Sequence, residues 1–429
     1  MNQSARRGDI GSGKASKAWR RGVPLTASAV FLAATMVLAW PQTRATPAAP
    51  GQATGQSRGI QPSDHPVLKI GAPAPDFSLP GVDGKTHTLG EYAGAKVLAI
   101  VFESNHCPVS MLYEVRIKKI YEDYRNKGVA VVAINPNNPA AVRLNEQGYT
   151  DVTDSLPAMK IRSAYRHRDW PYLYDGETQS TAAKFGAVAT PHIFLFDKDR
   201  KLQYQGHIDD NVNESLVKSQ DARIAIDALL AGRPVPVQET RAVGCTTKWL
   251  NKATGVEEEW AAIKSEPVKL VMAGADDLKK LRANGTDKIV LVNFWSTGCT
   301  VCVNQFSDLE TTYRMYRSRS GKYASLDFVS VSTNAPADKA AALEFLQKQY
   351  AGNTNLQFTA TDAGSLQAAW GGKWNLASSF TVVLTPDGKV AYQKEGKLDI
   401  FELRRAILRN MPDVVAYPGQ HDYWNSIAK

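Results

Sequence analysis

The chain has 429 residues, of which 43% are hydrophobic and 22% are charged. This length and composition can bury more than one core, which excludes a disordered or fibrous protein and predicts two or three domains. The net charge of +9 is concentrated at the start, where residues 1–21 carry six basic side chains against the single acid Asp9. The rest of the chain is only mildly basic, so nucleic acid is not an expected partner.

The N-terminal region predicts export from the cytoplasm. Residues 22–40, "GVPLTASAVFLAATMVLAW", carry no charge and are either a signal-peptide core or a short membrane span. The absence of a clean cleavage site favours an uncleaved anchor. The basic flank, residues 1–21, stays on the cytoplasmic side by the positive-inside rule, which places the rest in an extracytoplasmic, periplasmic location. Residues 41–65 are rich in Pro, Ala, Thr, Gln and Gly and predict a flexible linker.

Residues 66–248 predict a first α/β domain. The apolar run "KVLAIVF" predicts a buried strand, the segment beginning "PVSMLYEVRIKKIYEDY" predicts a helix, and "VAVVAIN" predicts a second strand. A strand, a helix and a strand in this order indicate a parallel crossover unit. The hairpin "PHIFLFDKDRKLQYQG" and the helix "DARIAIDALL" follow.

One cysteine of this domain lies between the first strand and the helix. Cys107, in "SNHCPVS", is at a helix start, where backbone N–H groups stabilise a thiolate. Ser110 occupies the position of a second thiol, so Cys107 has no local partner. Cys245 either resolves a disulfide at Cys107 or is a small buried hydrophobe, the commoner fate of a lone cysteine. His106 and Glu103 could assist Cys107, but a solvated loop histidine and an exposed turn carboxylate are the favoured interpretations.

The second half repeats the plan of the first. "KIVLVNFW" predicts a strand, a helix follows the next cysteines, "LDFVSVS" predicts another strand, and a hairpin and terminal helix close the unit. We assign residues 249–264 to a linker, 265–415 to the second domain and 416–429 to a C-terminal tail. The predicted fold class is α/β, with two tandem domains that each have a central mixed sheet flanked by helices.

The pair Cys299 and Cys302 is open to three interpretations: a redox pair, a metal clip or a structural disulfide. A metal site needs further ligands, which the neighbourhood lacks, and a disulfide closing so short a loop stabilises little. A redox pair fits best, with Cys299 at the helix start as the nucleophile and Cys302, one turn later, as the resolving thiol. No cofactor and no metal are expected.

The segment "VLVNFWSTGCTVC", which includes Trp295, resembles the active-site segment of extracytoplasmic thioredoxin-like proteins that serve cytochrome maturation and disulfide reduction. The resemblance covers residues 265–415 and implies a thioredoxin fold, exchange with protein thiols and disulfides, and an upstream thiol reductant or oxidant. The family's cis-proline precedes the hairpin-turn glycine, here Gly388, by nine residues. That position holds Ser379, so the proline is missing.

Residues 66–248 resemble the redoxin group, thioredoxin-fold relatives of the peroxiredoxins. The matching blocks include "GAPAPDFSLPGVDGK", "HCPVS", "FGAVATPHIFLFD" and "LLAGRPVPVQETRAVGCTTKW". The resemblance implies that Cys107 is nucleophile-like and that Pro191 is a cis-proline. Ile100 replaces the proline that peroxiredoxins carry upstream, which weakens a peroxidase assignment. The sequence thus predicts a tandem thiol–disulfide oxidoreductase, with a binding or scaffold protein and a Cys107 peroxidase as alternatives.

Overall fold

The computed structural model describes residues 64–319, 326–359 and 363–427. The predicted basic flank (1–21) and anchor (22–40), and nearly all of the predicted linker (41–65), lie outside these residues. Within the described part of the chain, no helix combines the length and apolar character needed to cross a membrane.

The first domain is built on a five-stranded mixed sheet and two two-stranded sheets. The strands of the domain are β1 (Ser78–Pro80), β2 (Thr86–Thr88), β3 (Val97–Phe102), β4 (Val129–Asn135), β5 (Tyr172–Tyr174), β6 (Ala189–Thr190), β7 (His192–Phe196), β8 (Leu202–Gly206) and β9 (Cys245–Thr246). Its helices are α1 (Pro108–Tyr124), α2 (Leu156–Tyr165), α3 (Ser180–Phe185) and α4 (Asp221–Leu230). The main sheet has the order β5-β4-β3-β7-β8, while β1 pairs with β2 and β6 pairs with β9.

The second domain repeats this sheet with one more strand. Its strands are β10 (Val271–Ala273), β11 (Ile289–Trp295), β12 (Leu326–Ser332), β13 (Thr354–Phe358), β14 (Phe380–Leu384) and β15 (Val390–Glu395). The remaining helices are α5 (Thr254–Ser265), α6 (Ala275–Ala283), α7 (Thr300–Tyr316), α8 (Lys339–Lys348), α9 (Ala363–Trp370), α10 (Ile400–Asn410) and α11 (Gln420–Asn425). The sheet order is β10-β13-β12-β11-β14-β15.

In both sheets the central strand lies between a parallel and an antiparallel neighbour. β3 pairs parallel with β4 and antiparallel with β7, and β11 pairs parallel with β12 and antiparallel with β14. The central strands are buried along their whole length, as near-continuous apolar runs require when helices cover both faces. The predicted fold class, two tandem α/β domains of thioredoxin type, is confirmed.

Two segments differ from the sequence-based assignment. The region assigned as a linker, residues 249–264, contains most of α5, whose Ile263 is buried in the second core, and Glu259 accepts hydrogen bonds from the backbone of the first domain. The region assigned as a tail, residues 416–429, contains α11, whose Trp424 is fully buried. Both errors have the same cause: these segments gain their buried surface only when two domains meet, and neither has a long apolar periodicity of its own.

The two domains share one packed interface. A buried cluster of apolar side chains includes Met111 and Tyr149 of the first domain together with the core of the second. The Tyr316 hydroxyl at the end of α7 donates to the Thr150 carbonyl over 2.7 Å. Arg404 on α10 donates to the backbone carbonyl of Asp151 over 3.2 Å. These buried polar contacts fix the orientation of the domains, because breaking them leaves unpaired groups away from water.

Candidate functional site: two cysteine centres

The first centre is the pair Cys299 and Cys302. β11 ends at Trp295, a short turn follows, and Cys299 is the N-cap residue of α7. The Cys299 sulfur accepts a hydrogen bond from the Cys302 backbone N–H over 3.1 Å. The two sulfurs are joined in a disulfide of 2.11 Å, with the Cα atoms 5.2 Å apart. The helix start therefore holds both sulfurs together and supplies an N–H group to the sulfur of the first cysteine.

The residues around Cys299 and Cys302 differ in their exposure to solvent. Trp295 is buried and packs against Phe306 and Phe345 with ring centroids 5.2 and 4.8 Å away, so it supports the site from inside. Gly298, immediately before Cys299, is exposed and has open space where a side chain would stand. Val301, between the cysteines, is exposed by 36%. Val301 therefore presents an apolar rim at a centre whose cysteines are themselves buried.

Ser379 lies behind the first centre in a buried hydrogen-bond network. Its hydroxyl oxygen accepts from Asn293 over 2.9 Å and from Gln305 over 2.8 Å. Asn293 is on the central strand β11, and Gln305 is on α7, one turn beyond Cys302. Ser379 thus links β11, which precedes the cysteines, and α7, which begins at them, to β14, which starts at the residue after Ser379. The position where the resemblance places a proline is occupied by a polar structural residue.

The second centre is built around Cys107, which caps α1 as Cys299 caps α7. The sulfur of Cys107 accepts from the Ser110 backbone N–H over 3.4 Å and lies 3.1 Å from the Thr190 carbonyl oxygen. The Thr190–Pro191 peptide bond is cis, as the resemblance implied. Cys107 is fully buried. The equivalent start of the helix in the two domains thus presents a cysteine in both cases.

Cys245 lies next to Cys107 although 138 residues separate them. β9 pairs antiparallel with β6, and Cys245 is opposite Thr190. The Cys245 backbone N–H donates to the Cys107 sulfur over 3.4 Å. Cys245 is half-buried, and both cysteines are free thiols. Cys245 is therefore part of the Cys107 centre, which is the placement that its interpretation as a resolving thiol requires.

His106 is also part of this centre, which corrects the expectation of a solvated loop histidine. It is 1% exposed, and its Nδ1 lies 2.5 Å from Oδ2 of Asp154. Asp154 also accepts from Asn137 over 2.9 Å and from the backbone N–H of Asn105 over 2.7 Å. Burial lowers the pKa of His106, but the Asp154 carboxylate outweighs this effect and leaves the pKa raised. Asp154 therefore holds a positive charge beside the cysteine.

The surroundings of Cys107 favour a thiolate. Burial raises its pKa, but the hydrogen bond from the Cys245 thiol, the charge on His106 and two backbone N–H groups outweigh burial and lower the pKa to about 6. The hydrogen bond to Cys107, together with burial, raises the pKa of Cys245 well above its usual range. At neutral pH the pair thus consists of a thiolate on Cys107 and a thiol on Cys245.

Glu103 does not serve as the exposed turn carboxylate that the sequence suggested. It is 2% exposed and forms a buried ion pair with Arg168. The Glu103 carboxylate is therefore already paired with a buried positive charge, and its contacts are structural. Among the residues that the structure describes, no group of three or more His, Cys, Asp or Glu side chains is arranged to hold a metal ion.

The sequence model of the Redoxin family matches residues 69–221 and 264–406, together more than half of the chain. The chain belongs to the Redoxin family. The two matches contain Cys107, Pro191, Cys299 and Cys302, and each covers one of the two domains; Cys245 lies between them. The predicted tandem organisation of redoxin and thioredoxin-like domains is thereby confirmed.

Several individual proteins are similar to parts of this chain. The thiol-disulfide oxidoreductase ResA of Geobacillus thermodenitrificans is 25% identical over 139 residues, which is 32% of this chain and 68% of the relative. A hypothetical protein of Sinorhizobium meliloti with a solved structure is 35% identical and matches 43% of this chain and 97% of its own, with a TM-score of 0.39. Peroxidoxin BcpB of Mycobacterium tuberculosis is 20% identical over 38% of this chain and 95% of its own, with a TM-score of 0.27. Family and relatives support an oxidoreductase activity without deciding its kind.

Proposed function

We propose that the protein is an extracytoplasmic thiol–disulfide oxidoreductase that exchanges disulfides through Cys299 and Cys302. The observation that carries this proposal is the arrangement at the start of α7, where Cys299 is the helix cap and its sulfur accepts the Cys302 N–H. A helix start stabilises the thiolate that thiol–disulfide exchange requires. Cys302 stands within bonding distance for the second step, since the two Cα atoms are 5.2 Å apart.

The exchange has two steps. In the reduced protein, the Cys299 thiolate attacks one sulfur of a client disulfide, forms a mixed disulfide and expels the other client sulfur as a thiolate. The Cys302 thiolate then attacks the Cys299 sulfur, closes the Cys299–Cys302 disulfide and releases the second client thiolate. The client gains two electrons, and an upstream thiol reductant restores the dithiol. The reverse sequence oxidises a client, and the reduction potential of the pair decides between the two directions.

The direct test is reduction of a protein disulfide by the full chain with a thiol reductant. We expect turnover with the natural chain and with the Cys107→Ser/Cys245→Ser variant, and loss of turnover with Cys299→Ser. A Cys302→Ser variant should trap the client as a mixed disulfide on Cys299. Turnover that persists when Cys299→Ser is added to the Cys107→Ser/Cys245→Ser variant would remove this centre as the catalyst, and no turnover in any variant would leave the rival function, a thioredoxin-fold binding or scaffold module.

A second candidate function, a peroxidase, is favoured by one observation at Cys107. A hydroperoxide is attacked by a thiolate, and the contacts of Cys107 lower its pKa to about 6. Attack on the peroxide oxygen converts Cys107 to a sulfenic acid and releases water or an alcohol. Peroxide-dependent sulfenic acid at Cys107 would support this function, while an unmodified Cys107 in excess peroxide would exclude it.

The proposed location rests on the sequence of the N-terminal segment. Residues 1–21 are basic and residues 22–40 are uncharged and mostly apolar, the pattern of a membrane anchor or signal peptide. We expect the full chain to remain in the membrane fraction at high pH and to be digested by protease added from the extracytoplasmic side. A chain recovered intact from the cytoplasm would contradict this location.

A further inference from the structure

We propose that Cys107 and Cys245 form a second redox-active pair, which closes an intramolecular disulfide when Cys107 reacts with a disulfide client. This inference goes beyond the exchange at Cys299 and Cys302 and does not depend on it. Cys245 lies outside both regions that match the Redoxin family, so that match assigns it no role. It turns a one-cysteine site into a two-electron centre.

The backbone places the two sulfurs together. β6 and β9 form a two-stranded ladder in which Cys245 is opposite Thr190, and the Thr190 carbonyl oxygen is 3.1 Å from the Cys107 sulfur. The Cys245 N–H reaches the same sulfur over 3.4 Å, and its thiol hydrogen-bonds to Cys107. The fold therefore brings the Cys245 backbone to the Cys107 sulfur, and this proximity is the first requirement for a disulfide between residues distant in sequence.

Gly244 is the residue that permits this approach. A Cβ atom at Gly244 would lie 1.9 Å from the Thr190 carbonyl oxygen and 2.5 Å from the Thr190 carbonyl carbon. Both of these atoms belong to the backbone, so a side chain at position 244 would push β9 away from β6. The "VGC" sequence thus combines the thiol with the one residue type that lets the strand carrying it lie against the Cys107 centre.

The charge distribution divides the chemical roles. Cys107 is the thiolate at neutral pH, because His106, the Cys245 thiol and two N–H groups stabilise its charge, and Cys245 retains its proton. Cys107 is therefore the attacking sulfur. Once Cys107 is bonded to a client sulfur, its negative charge is gone, and Cys245 can ionise and attack. When one of two neighbouring thiols loses its negative charge, ionisation of the other becomes easier, which supports this order of events.

Tyr417 and the start of α11 pack against this centre from the second domain. Burial, followed by the charges of Cys245 and Cys107, raises the pKa of Tyr417. Tyr417 packs edge-to-face on Tyr149 with ring centroids 5.2 Å apart, and Gln420 donates to the Pro108 carbonyl over 3.3 Å. Cys107 is fully buried beneath these contacts, so a disulfide needs local movement to reach it. A small aliphatic disulfide is the appropriate probe.

The proposed reaction balances in two steps. The Cys107 thiolate attacks one sulfur of the disulfide RS–SR, which forms Cys107–S–SR and expels RS⁻. Cys245 gives its proton to the departing thiolate, attacks the Cys107 sulfur and expels the second RS⁻, which takes a proton from water. The client gains two electrons and becomes two thiols, and the protein loses two electrons and holds a Cys107–Cys245 disulfide. An external thiol reverses both steps.

The test uses the full-length Cys299→Ser/Cys302→Ser variant, so that the outcome is independent of the first centre. The protein is equilibrated with mixtures of hydroxyethyl disulfide and mercaptoethanol, alkylated and digested with trypsin. Cleavage after Lys96 and Arg116 releases one peptide with Cys107, and cleavage after Arg241 and Lys248 releases another with Cys245. The natural chain is digested in parallel, since its Cys299 and Cys302 fall in a third peptide and cannot be confused with this pair.

We expect the two peptides to become cross-linked in most of the protein at the oxidising end of the series and to separate on reduction. Cys245→Ser is the matched control and should leave Cys107 carrying the hydroxyethyl group as a stable mixed disulfide. Two outcomes overturn the proposal: both cysteines stay available to the alkylating reagent at every ratio, or the mixed disulfide on Cys107 accumulates while Cys245 remains alkylated. Either result leaves the exchange at Cys299 and Cys302 untouched.

Discussion

Replacement of Asp154 by Asn tests whether a buried carboxylate tunes Cys107 through His106. Asp154 is 1% exposed and contacts His106 directly, but it does not contact the sulfur. Without the carboxylate, burial dominates and lowers the pKa of His106, so the imidazole becomes neutral at pH 7. Cys107 then loses the nearest positive charge while it keeps the N–H groups of Ser110 and Cys245.

The size of the effect follows from the pKa of Cys107, which lies at about 6 compared with a usual value of 9.0. This difference corresponds to about 4 kcal/mol in favour of the thiolate, at about 1.4 kcal/mol per pH unit. A neighbouring opposite charge contributes roughly one to three pH units of such a difference. We therefore expect Asp154→Asn to raise the pKa of Cys107 by about one to two pH units, which lowers the thiolate fraction at pH 7 from about 90% to about half or less.

The shifted pKa values of Cys107 and His106 also make the folding stability depend on pH. Because folding lowers the pKa of Cys107, the thiolate's contribution is complete above its usual pKa and is lost as the pH falls through about 6. Folding raises the pKa of His106, so its contribution is complete below its usual pKa of 6.5 and is lost as the pH rises through the raised value. The two contributions oppose each other near neutral pH, so a direct titration of the sulfur is the clearer measurement.

The assay is the ultraviolet absorbance of the thiolate as a function of pH, with Cys299 and Cys302 kept as a disulfide. Asp175→Asn is the matched control, because Asp175 is an equally buried carboxylate of the same domain that caps α3 by accepting from the Ala182 N–H over 2.6 Å. We expect the control to titrate like the natural protein. A folded Asp154→Asn protein with an unchanged Cys107 titration would refute the role of the His106–Asp154 pair.

Three further changes test the packing and the second pair. Tyr316→Phe removes a hydroxyl that pairs a carbonyl of the other domain, so we expect the free energy of unfolding to fall by about 1–2 kcal/mol in a denaturant titration; an unchanged midpoint would contradict the interface. Ser379→Ala removes the hydroxyl that accepts from Asn293 and Gln305; Asn293 keeps its bond to Thr381, so the change should cost about 1–2 kcal/mol, whereas Ser378→Ala, at a half-buried neighbour, should be nearly neutral. Oxidation of Cys107 with Cys245 closes a loop between residues 138 positions apart and should stabilise the protein by about 5 kcal/mol if the disulfide acts by restricting the unfolded chain. Oxidation of Cys299 with Cys302 closes a much shorter loop and should stabilise the protein by about 2 kcal/mol. Equal shifts in the melting temperature for the two disulfides would contradict the assignment of the second pair.

The sequence was sufficient for the features that are local. An apolar strand, a cysteine and an amphipathic helix are neighbours in sequence, so the caps at Cys107 and Cys299 could be placed directly. The turn positions were predictable for the same reason: Gly388 and Arg200 both adopt positive φ at the hairpins, and counting back from them located Ser379 and Pro191. Each of these inferences spans no more than about one supersecondary unit.

The features that were missed depend on contacts between distant segments. His106 reads as a loop residue until Asp154, 48 residues later, folds against it. Cys245 reads as a lone cysteine until β9 pairs with β6, and the only local hint was the glycine before it. α11 is too short to be predicted from periodicity and is stabilised by packing on the other domain, where Tyr423 donates to Glu114 over 2.9 Å. Pattern analysis of a single sequence contains no information on such pairings.

The reduction potential of the Cys299/Cys302 pair tests the central claim most directly. The full-length Cys107→Ser/Cys245→Ser variant is equilibrated across a dithiothreitol or glutathione series, and its remaining thiols are labelled and counted by mass. The proposed function predicts a reversible two-electron transition between roughly −300 and −120 mV, whose position assigns the protein as a reductant or an oxidant of its clients. A pair that shows no reversible transition across the series would contradict catalysis at the start of α7.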